Sequence, residues 1–328
     1  MRAGKLQDGA PLAPVCQGVC QTVSMSFDRR NLLRTGAGLG STLALGGIAG
    51  AGPLREEDLF RISLAEWSLH RAIRAGELDP CDFAPLARKE FGLDAVEHVN
   101  TFFQERATDF DYLADLKRRA DDAGVRSLLI MCDAEGELGE ADESARRRAI
   151  ENHFRWIAAA RFLGCHSIRV NAAGKGSAEE VSKRAADSLH RLAEMGERYD
   201  VHVIVENHGG YSSNGAWLAA TIRAADHPRA GTLPDFGNFR VPAGEEYDRY
   251  EGVAELMPFA RGVSAKSHDF DAAGNETHTD YKKMLRIVLD AGYRGHVGIE
   301  YEGEGVGERE GIRLTKALLE RVRAELSG

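Results

Sequence analysis

Short apolar runs alternate with amphipathic stretches from Leu59 to the end of the chain. Eight of the runs have the length and the β-branched content of buried strands. They are Arg61–Ala65, Ala95–Val99, Arg126–Cys132, Ser167–Asn171, Val201–Glu206, Gly231–Asp235, Gly262–Lys266 and His296–Tyr301. Since a stretch with helical periodicity follows each run, the pattern predicts eight strand-then-helix units.

The stretches between the strands place apolar residues three and four positions apart, which is the spacing of an amphipathic helix. Ile150, Phe154 and Ile157 share one face in this way. The predicted helices are Asp82–Phe91, Phe110–Ala123, Glu143–Leu163, Ala178–Tyr199, Gly215–Ala225, Tyr247–Phe259, Tyr281–Ala291 and Glu308–Leu326. Gly124 and Gly164 follow two of them, which indicates left-handed helix caps.

Eight such units in about 270 residues have the count and the size of a closed (β/α)8 barrel, or TIM barrel. An open, doubly wound sheet is the alternative fold. It would usually carry a glycine-rich phosphate-binding turn after its first strand, and Leu64–Ser68 offers none. Because no linker marks a second domain, we predict one barrel over residues 52–328.

The first 51 residues have a different composition, rich in Gly, Ala and Leu. Arg29 and Arg30 begin a segment that resembles the twin-arginine export motif, and a mildly apolar stretch follows them. Ala49 and Ala51 give the small-x-small form of a signal-peptidase site. We therefore predict a leader over residues 1–51 and export by the twin-arginine pathway to the periplasm or another extracytoplasmic space.

A disordered leader or a short membrane anchor is the alternative for this segment. Its apolar run is short and rich in glycine, so we expect no stable membrane span after cleavage. Translation begins at Met1 or at Met25, since residues 1–24 add nothing that a signal needs.

The net charge of −9 and the pI near 5.7 argue against a nucleic-acid-binding surface, which would need clustered Lys and Arg. Cys81, Cys132 and Cys165 are widely spaced beyond the leader, so they form neither a disulfide framework nor a zinc cluster. A small-molecule ligand fits this composition better. Homo-oligomer formation stays open.

Polar residues collect at the carboxyl ends of the predicted strands, where a barrel places its active site. In strand order they are Glu97, His98, Asn100, Arg169, Asn171, Glu206, His208, Asp235, Asn238, Lys266, His268, Glu300 and Glu302. Carboxylates from four strands would surround a common centre and repel one another strongly without a cation. The pattern therefore predicts a divalent metal site.

Four short motifs accompany these residues. They are Val-Glu-Asn-His at 205–208, Pro-Asp-Phe-Gly-Asn at 234–238, Ala-Lys-Ser-His at 265–268 and Gly-Ile-Glu-Tyr at 298–301. With them, the chain from Leu59 onward resembles the xylose isomerase-like barrel superfamily, the sugar phosphate isomerase/epimerase group. The resemblance implies a carbohydrate substrate and one divalent ion, with Mn²⁺ or Mg²⁺ favoured by carboxylate ligands and Zn²⁺ or Co²⁺ as alternatives.

The resemblance also implies roles for individual residues. The ion would be held by Glu206, Asp235, His268 and Glu300. Two of these, Glu206 and Glu300, would exchange protons with the substrate. Substrate contacts are expected from Glu97, Asn171, His208, Asn238 and Lys266.

The chain departs from the family pattern at two places. Ser264 stands where strand seven usually carries a metal-binding His, and we expect His268, further along the same face, to substitute. Asn238 stands where strand six often carries a substrate-binding His. Lys266 has two readings, stabilisation of an enediolate or a salt bridge to a neighbouring carboxylate. Glu302 is interpreted as a surface carboxylate.

Three functions follow from this site. The first is a metal-dependent sugar isomerase or epimerase that removes a proton next to a carbonyl and forms an enediolate. The second is a metal-dependent lyase or hydratase that acts on 3-keto-glycosides or related oxidised sugars. The third is a non-catalytic carbohydrate-binding barrel. A multi-metal endonuclease is disfavoured by the acidic charge and by the few histidines at the strand ends.

Overall fold

The computed structural model describes residues 59–328, so the predicted leader and its twin-arginine motif lie outside the described residues. Eight parallel strands form one sheet in the order β6-β5-β4-β3-β2-β1-β8-β7. They are β1 Arg61–Ala65, β2 Ala95–Val99, β3 Arg126–Met131, β4 Ser167–Val170, β5 His202–Glu206, β6 Ala230–Leu233, β7 Val263–Ser267 and β8 His296–Tyr301. The predicted strands are confirmed, each within two residues at either end.

Backbone hydrogen bonds join β6 to β7, the two ends of this strand order. The amide of Phe236 donates to the carbonyl of Ser264 at 3.0 Å, and the amide of Ser264 donates to the carbonyl of Pro234 at 2.9 Å. Arg261 donates in the same way to Thr232 at 3.0 Å. The sheet is therefore a ring, and the fold is the predicted (β/α)8 barrel.

Helices cover the outside of the ring. Within the described residues the α-helices are His70–Arg74, Phe83–Phe91, Phe110–Asp122, Glu143–Leu163, Ala178–Tyr199, Gly215–Ala225, Arg249–Leu256, Tyr281–Asp290 and Glu308–Ser327. The short helix His70–Arg74 was not predicted. None of the helices in this part of the chain is long and apolar enough to cross a bilayer.

Local signals explain where the helices begin and end. Ser177 and Glu180 form a capping box at the start of Ala178–Tyr199, which satisfies two free amides of the first turn. Gly164 ends the preceding helix with a φ of 83°, the predicted left-handed cap. The predicted helix Tyr247–Phe259 is too long, because Asp248 caps a start at Arg249 and Pro258 lies in a separate 3-10 turn.

Alternate strand residues point into the barrel, since side chains of a strand change face at every residue. Six of them form an inner apolar cluster: Ala65, Val99, Leu129, Met131, Ile204 and Leu233. The larger apolar clusters contain residues of both strands and helices, such as Val203 with Leu189 and Val297 with Leu319. Apolar residues thus fill much of the barrel interior, and the polar groups of the candidate site lie at the carboxyl ends of the strands.

Candidate active site

Three carboxylates from different strands meet in the barrel. Glu206 ends β5, Asp235 follows β6, and Glu300 lies near the end of β8. Each offers an oxygen atom within 4.8 Å of the others, and all three side chains are buried. They meet because parallel strands of a closed barrel bring their carboxyl ends to one mouth.

Burial disfavours the charged form of these groups. It raises the pKa of Glu206 to about 7, against the opposing effect of the Arg169 guanidinium. It likewise raises the pKa of Asp235 to about 7, against the opposing charge of Lys266. Without a metal ion, burial therefore favours the neutral forms of these two carboxyls more than water does.

Lys266 supplies a positive charge from β7. Its Nζ lies 3.1 Å from Oε1 of Glu300 and 3.1 Å from Oε2 of Glu302, and the residue is only 3% exposed. Burial opposes its charge, but the carboxylates around it, Glu300 first, raise its pKa. Glu302 also accepts a hydrogen bond from the indole of Trp67, and its side chain is 27% exposed. It was interpreted as a surface carboxylate; the structure places it half-buried, in contact with Lys266.

Arg169 supplies a second positive charge from β4. Its Nε lies 2.9 Å from Oε2 of Glu206, and its Nη1 donates to Oδ1 of Asp133 at 2.6 Å. Asp133 follows β3 and was not among the predicted site residues. Arg169 thus links a carboxylate of the central group to one at its edge.

Two asparagines and a histidine complete the polar contacts of the mouth. Nδ2 of Asn171 donates to Oδ1 of Asp133 at 2.7 Å, and Nδ1 of His208 lies 3.1 Å from Oδ1 of Asn171. On the other side, Nδ2 of Asn238 donates to Oε1 of Glu206 at 3.1 Å. The structure therefore brings these three predicted substrate contacts to the rim of the carboxylate group.

Two other predicted site residues lie apart from this group. His268 is not among the residues that meet within 4.8 Å, and its ring lies 5.9 Å from that of His278. Glu97 is buried inside the barrel, where its Oε1 accepts from Ser63 at 2.6 Å. A Cβ on Gly298 would lie 2.6 Å from that same oxygen, so glycine gives Glu97 its space.

The carboxylate group fits a metal ion. Oδ1 of Asp235 accepts from the amides of Gly237 at 2.9 Å and Asn238 at 2.8 Å. Its Oδ2 is buried and has no hydrogen-bond partner in the part of the chain that the structure describes. A buried carboxylate oxygen without a donor is costly, and a cation would satisfy it. The hard oxygen ligands suit Mg²⁺ or Mn²⁺.

Two clefts are lined by residues at the carboxyl ends of the strands. The larger, of about 720 Å³, has Lys266 and Glu302 in its lining. The smaller, of about 300 Å³, is lined by Trp67, Met131 and Glu300 among others. A ligand in the smaller, partly aromatic cleft can therefore contact Glu300 directly. A ligand in the larger, mainly charged cleft can contact Lys266, which bonds Glu300.

Comparisons with known proteins identify the family of the barrel. A family model described as "Xylose isomerase-like TIM barrel" matches residues 86–323. The C-glycoside deglycosidase alpha subunit of Arthrobacter globiformis is 37% identical over 65 residues, which are 19% of this chain and 18% of that protein. The chain therefore matches less than a fifth of this curated relative's length.

Solved structures show the same fold at low sequence identity. The IolI protein with a bound zinc atom has a TM-score of 0.65 at 15% identity, over 81% of this chain and 99% of that one. A xylose isomerase-like barrel protein from Mycobacterium smegmatis with magnesium gives 0.63 at 16%, over 84% and 100%. The 3-keto-D-glucoside 4-epimerase YcjR from E. coli gives 0.58 at 15%, over 79% and 98%.

Proposed function

Because the chain belongs to the xylose isomerase-like TIM barrel family, we propose that it is a divalent-metal-dependent sugar isomerase or epimerase. The observation that carries this proposal is the meeting of Glu206, Asp235 and Glu300 within 4.8 Å, with the Lys266 ammonium beside them. Its substrate would be a free sugar, a polyol ketone or a related carbohydrate with a hydrogen on the carbon next to a carbonyl.

The residues that would hold the ion are Glu206, Asp235 and Glu300. We propose His268 as a fourth ligand; because it lies outside this group, its side chain would have to move toward the carboxylates when the ion binds. Ser264 occupies the usual position of a ligand on β7, where its hydroxyl donates to Oε2 of Glu300 at 2.9 Å. When bound, a divalent ion would polarise the substrate carbonyl and its neighbouring hydroxyl. Mn²⁺ or Mg²⁺ suits the carboxylate-rich set.

Glu206 and Glu300 would move the protons. One carboxylate takes the hydrogen from the carbon next to the carbonyl, and the electron pair of that bond passes to the carbonyl oxygen to form an enediolate. For epimerisation, the second carboxyl returns a proton to the opposite face of the same carbon. For isomerisation, it protonates the former carbonyl carbon, while the proton of the neighbouring hydroxyl passes to the former carbonyl oxygen. The ammonium of Lys266 would offset the negative charge that develops on the oxygen.

Contacts at the rim would bind the hydroxyl groups of the substrate. Asn171, His208 and Asn238 place amide and imidazole groups there, while Lys266 lines the larger cleft. Glu97 lies deeper, and among the described residues its Oε2 has no hydrogen-bond partner. We propose that Glu97 does not contact the substrate and that its charge instead influences Glu206 and Glu300, which do.

Solvent deuterium exchange tests this function. We expect the manganese-loaded protein to exchange a carbon-bound hydrogen of at least one sugar in a panel of ketopentoses, ketohexoses and 3-keto-D-glucose, as followed by proton NMR. Glu206→Gln and Glu300→Gln should each slow the exchange by roughly 10²–10⁴-fold. Glu310→Gln, an exposed glutamate near the start of the last helix, should not change it.

Exchange that persists in both site variants would exclude these carboxylates as the acid and base. Binding of sugars without any exchange in the wild type would favour the non-catalytic carbohydrate-binding barrel instead. The first result contradicts the roles assigned to the two residues, and the second contradicts the proposed reaction.

A stretch of 65 residues is 37% identical to a C-glycoside deglycosidase subunit. This similarity favours a second candidate function, a lyase or hydratase that acts on 3-keto-glycosides. In this reaction the proton leaves C2, and the electron pair expels the substituent from C1 to form an enone. The same carboxylates could remove the proton. Release of the aglycone from a 3-keto-glycoside, followed by chromatography, separates this reaction from epimerisation.

The twin-arginine segment at Arg29 and Arg30 supports a proposal about location. Export by that pathway carries folded proteins, so a metal ion can be bound in the cytoplasm before transport. We propose that the barrel works outside the cytoplasm, where glycosides are met.

A further inference from the structure

Asp133, Asn171 and His208 form a chain of polar contacts at the ends of β3, β4 and β5. Oδ1 of Asp133 accepts from Nδ2 of Asn171 at 2.7 Å. Oδ1 of Asn171 lies 3.1 Å from Nδ1 of His208. Each of these three side chains comes from a different strand end, so the chain crosses one side of the barrel mouth.

The side-chain amide of Asn171 is oriented from both sides. Asp133 is an acceptor when ionised, so the NH2 group of Asn171 must face it. Although burial opposes its charge, Arg169 and its hydrogen bonds lower the pKa of Asp133 to about 2. Arg169 has only donors, and its Nη1 lies 3.4 Å from Oδ1 of Asn171. The amide oxygen therefore faces away from Asp133.

This orientation of the amide determines which nitrogen of the neutral His208 ring carries the hydrogen. An amide oxygen can only accept, so the contact between Nδ1 of His208 and Oδ1 of Asn171 requires a hydrogen on Nδ1. In a neutral imidazole the other nitrogen, Nε2, then carries a lone pair. Among the residues that the structure describes, Nε2 of His208 has no hydrogen-bond partner.

His208 lines the smaller cleft, of about 300 Å³. Trp67, Arg169 and Glu300 line the same cleft, so a group bound there also lies beside a site carboxylate. A hydroxyl on the ligand could donate to a lone pair on Nε2, whereas an ether oxygen or a carbonyl could not. With its Nε2 facing the cleft, a neutral His208 of this tautomer would discriminate between ligands by hydrogen-bonding type.

We propose that Asp133 is a positioning residue: through Asn171 it holds His208 in the tautomer with a hydrogen on Nδ1, so that Nε2 accepts a hydrogen bond from a substrate hydroxyl. The identity of that hydroxyl as part of a sugar rests on the proposed function. The tautomer itself does not, because it is a property of the free protein.

Nitrogen NMR of the protein labelled with ¹⁵N-histidine tests the tautomer without any substrate. The measurement is made at pH 8, above the usual pKa of histidine, and His208→Gln identifies the signals. We expect a protonated Nδ1 and an unprotonated Nε2 in the wild type. Asn171→Leu should shift His208 toward the tautomer protonated at Nε2, and Asp133→Ala should shift it part of the way.

Asn238→Leu is the matched control, because Asn238 bonds Glu206 and not the imidazole. It should leave the His208 signals unchanged. A wild-type His208 that is protonated at Nε2 overturns the proposal without any variant. A wild-type tautomer that survives in Asn171→Leu also overturns it, because the amide would then not be the cause.

Kinetics test the hydroxyl contact separately. On a sugar that shows deuterium exchange, His208→Leu, which removes the accepting nitrogen itself, should raise KM about 10-fold with a smaller change in kcat, as expected for a lost neutral hydrogen bond. An unchanged KM would overturn the contact. Failure of every sugar to exchange would instead contradict the proposed function, while the NMR result would still decide the tautomer.

Discussion

The ammonium of Lys266 lies 3.1 Å from Oε1 of Glu300, one of the three carboxylates that meet in the barrel. The two residues are direct neighbours in the register of β7 and β8. The salt bridge expected as one reading of Lys266 is therefore present. The same carboxylate would attract a divalent ion. The ammonium of Lys266 and a bound ion would therefore repel each other.

Replacement of Lys266 by Met should therefore tighten metal binding. Loss of a positive charge 3.1 Å from a carboxylate that would hold the ion removes a repulsion in a buried site, and we expect at least a ~10-fold lower Kd for Mn²⁺. Calorimetric titration of the EDTA-treated proteins measures this change. Lys183→Met, on an exposed lysine paired with Glu179, is the control. An unchanged or higher Kd for Lys266→Met would contradict the prediction.

Glu66 makes the stability of the fold depend on pH. Its side chain is fully buried, and burial raises its pKa to about 8, against one hydrogen bond from the amide of Val99. In the unfolded chain the carboxyl has its usual pKa of 4.5. Between these values the folded state holds a proton that the unfolded state has released, so the free energy of unfolding falls as the pH rises.

Glu66→Gln should remove this loss of stability, because an amide cannot ionise and its oxygen can still accept from Val99. In both proteins we compare the free energy of unfolding at pH 5 and at pH 8. The fall between these two pH values should be smaller in Glu66→Gln than in the wild type by roughly 2–5 kcal/mol. Denaturant unfolding at the two pH values measures the difference. Glu137→Gln, an exposed residue, is the control. If the free energy of unfolding falls equally in all three proteins, the pKa of Glu66 is not raised by folding and the prediction is contradicted.

Much of the barrel could be predicted because its signals are local. The bounds of β1, β2 and β8 follow from short apolar runs, and the helix Ala178–Tyr199 follows from its capping box and periodicity. The helix His70–Arg74 was missed. It has five residues and a single buried side chain, so it carries no periodic pattern to detect.

The site was predicted in part for the same reason. The rule that polar residues at strand ends face the barrel mouth located Glu206, Asp235 and Glu300. Asp133 obeys this rule two residues after the end of β3, so the sequence carried the signal although the prediction did not use it. The contact of Glu302 with Lys266 depends on the register of β7 against β8, which strand patterns alone do not reveal.

The twin-arginine segment makes a prediction about export. Replacement of both Arg29 and Arg30 by Lys should block transport, because the pathway recognises the arginine pair. In a bacterium with this pathway, we expect the full-length wild type in the periplasmic fraction as a shortened chain, and the double variant uncleaved in the cytoplasm. Equal distribution of the two proteins would contradict export by this route.

Metal titration of the EDTA-treated barrel tests the central claim, that the three carboxylates hold a divalent ion. Asp235→Asn is the sharpest comparison, because the amide oxygen can still accept from Gly237 and Asn238 while an NH2 group replaces the free oxygen. We expect calorimetry to show about one Mn²⁺ per wild-type chain and at least ~10-fold weaker binding by the variant. Absence of binding to the wild type, or equal binding by both proteins, would contradict the account.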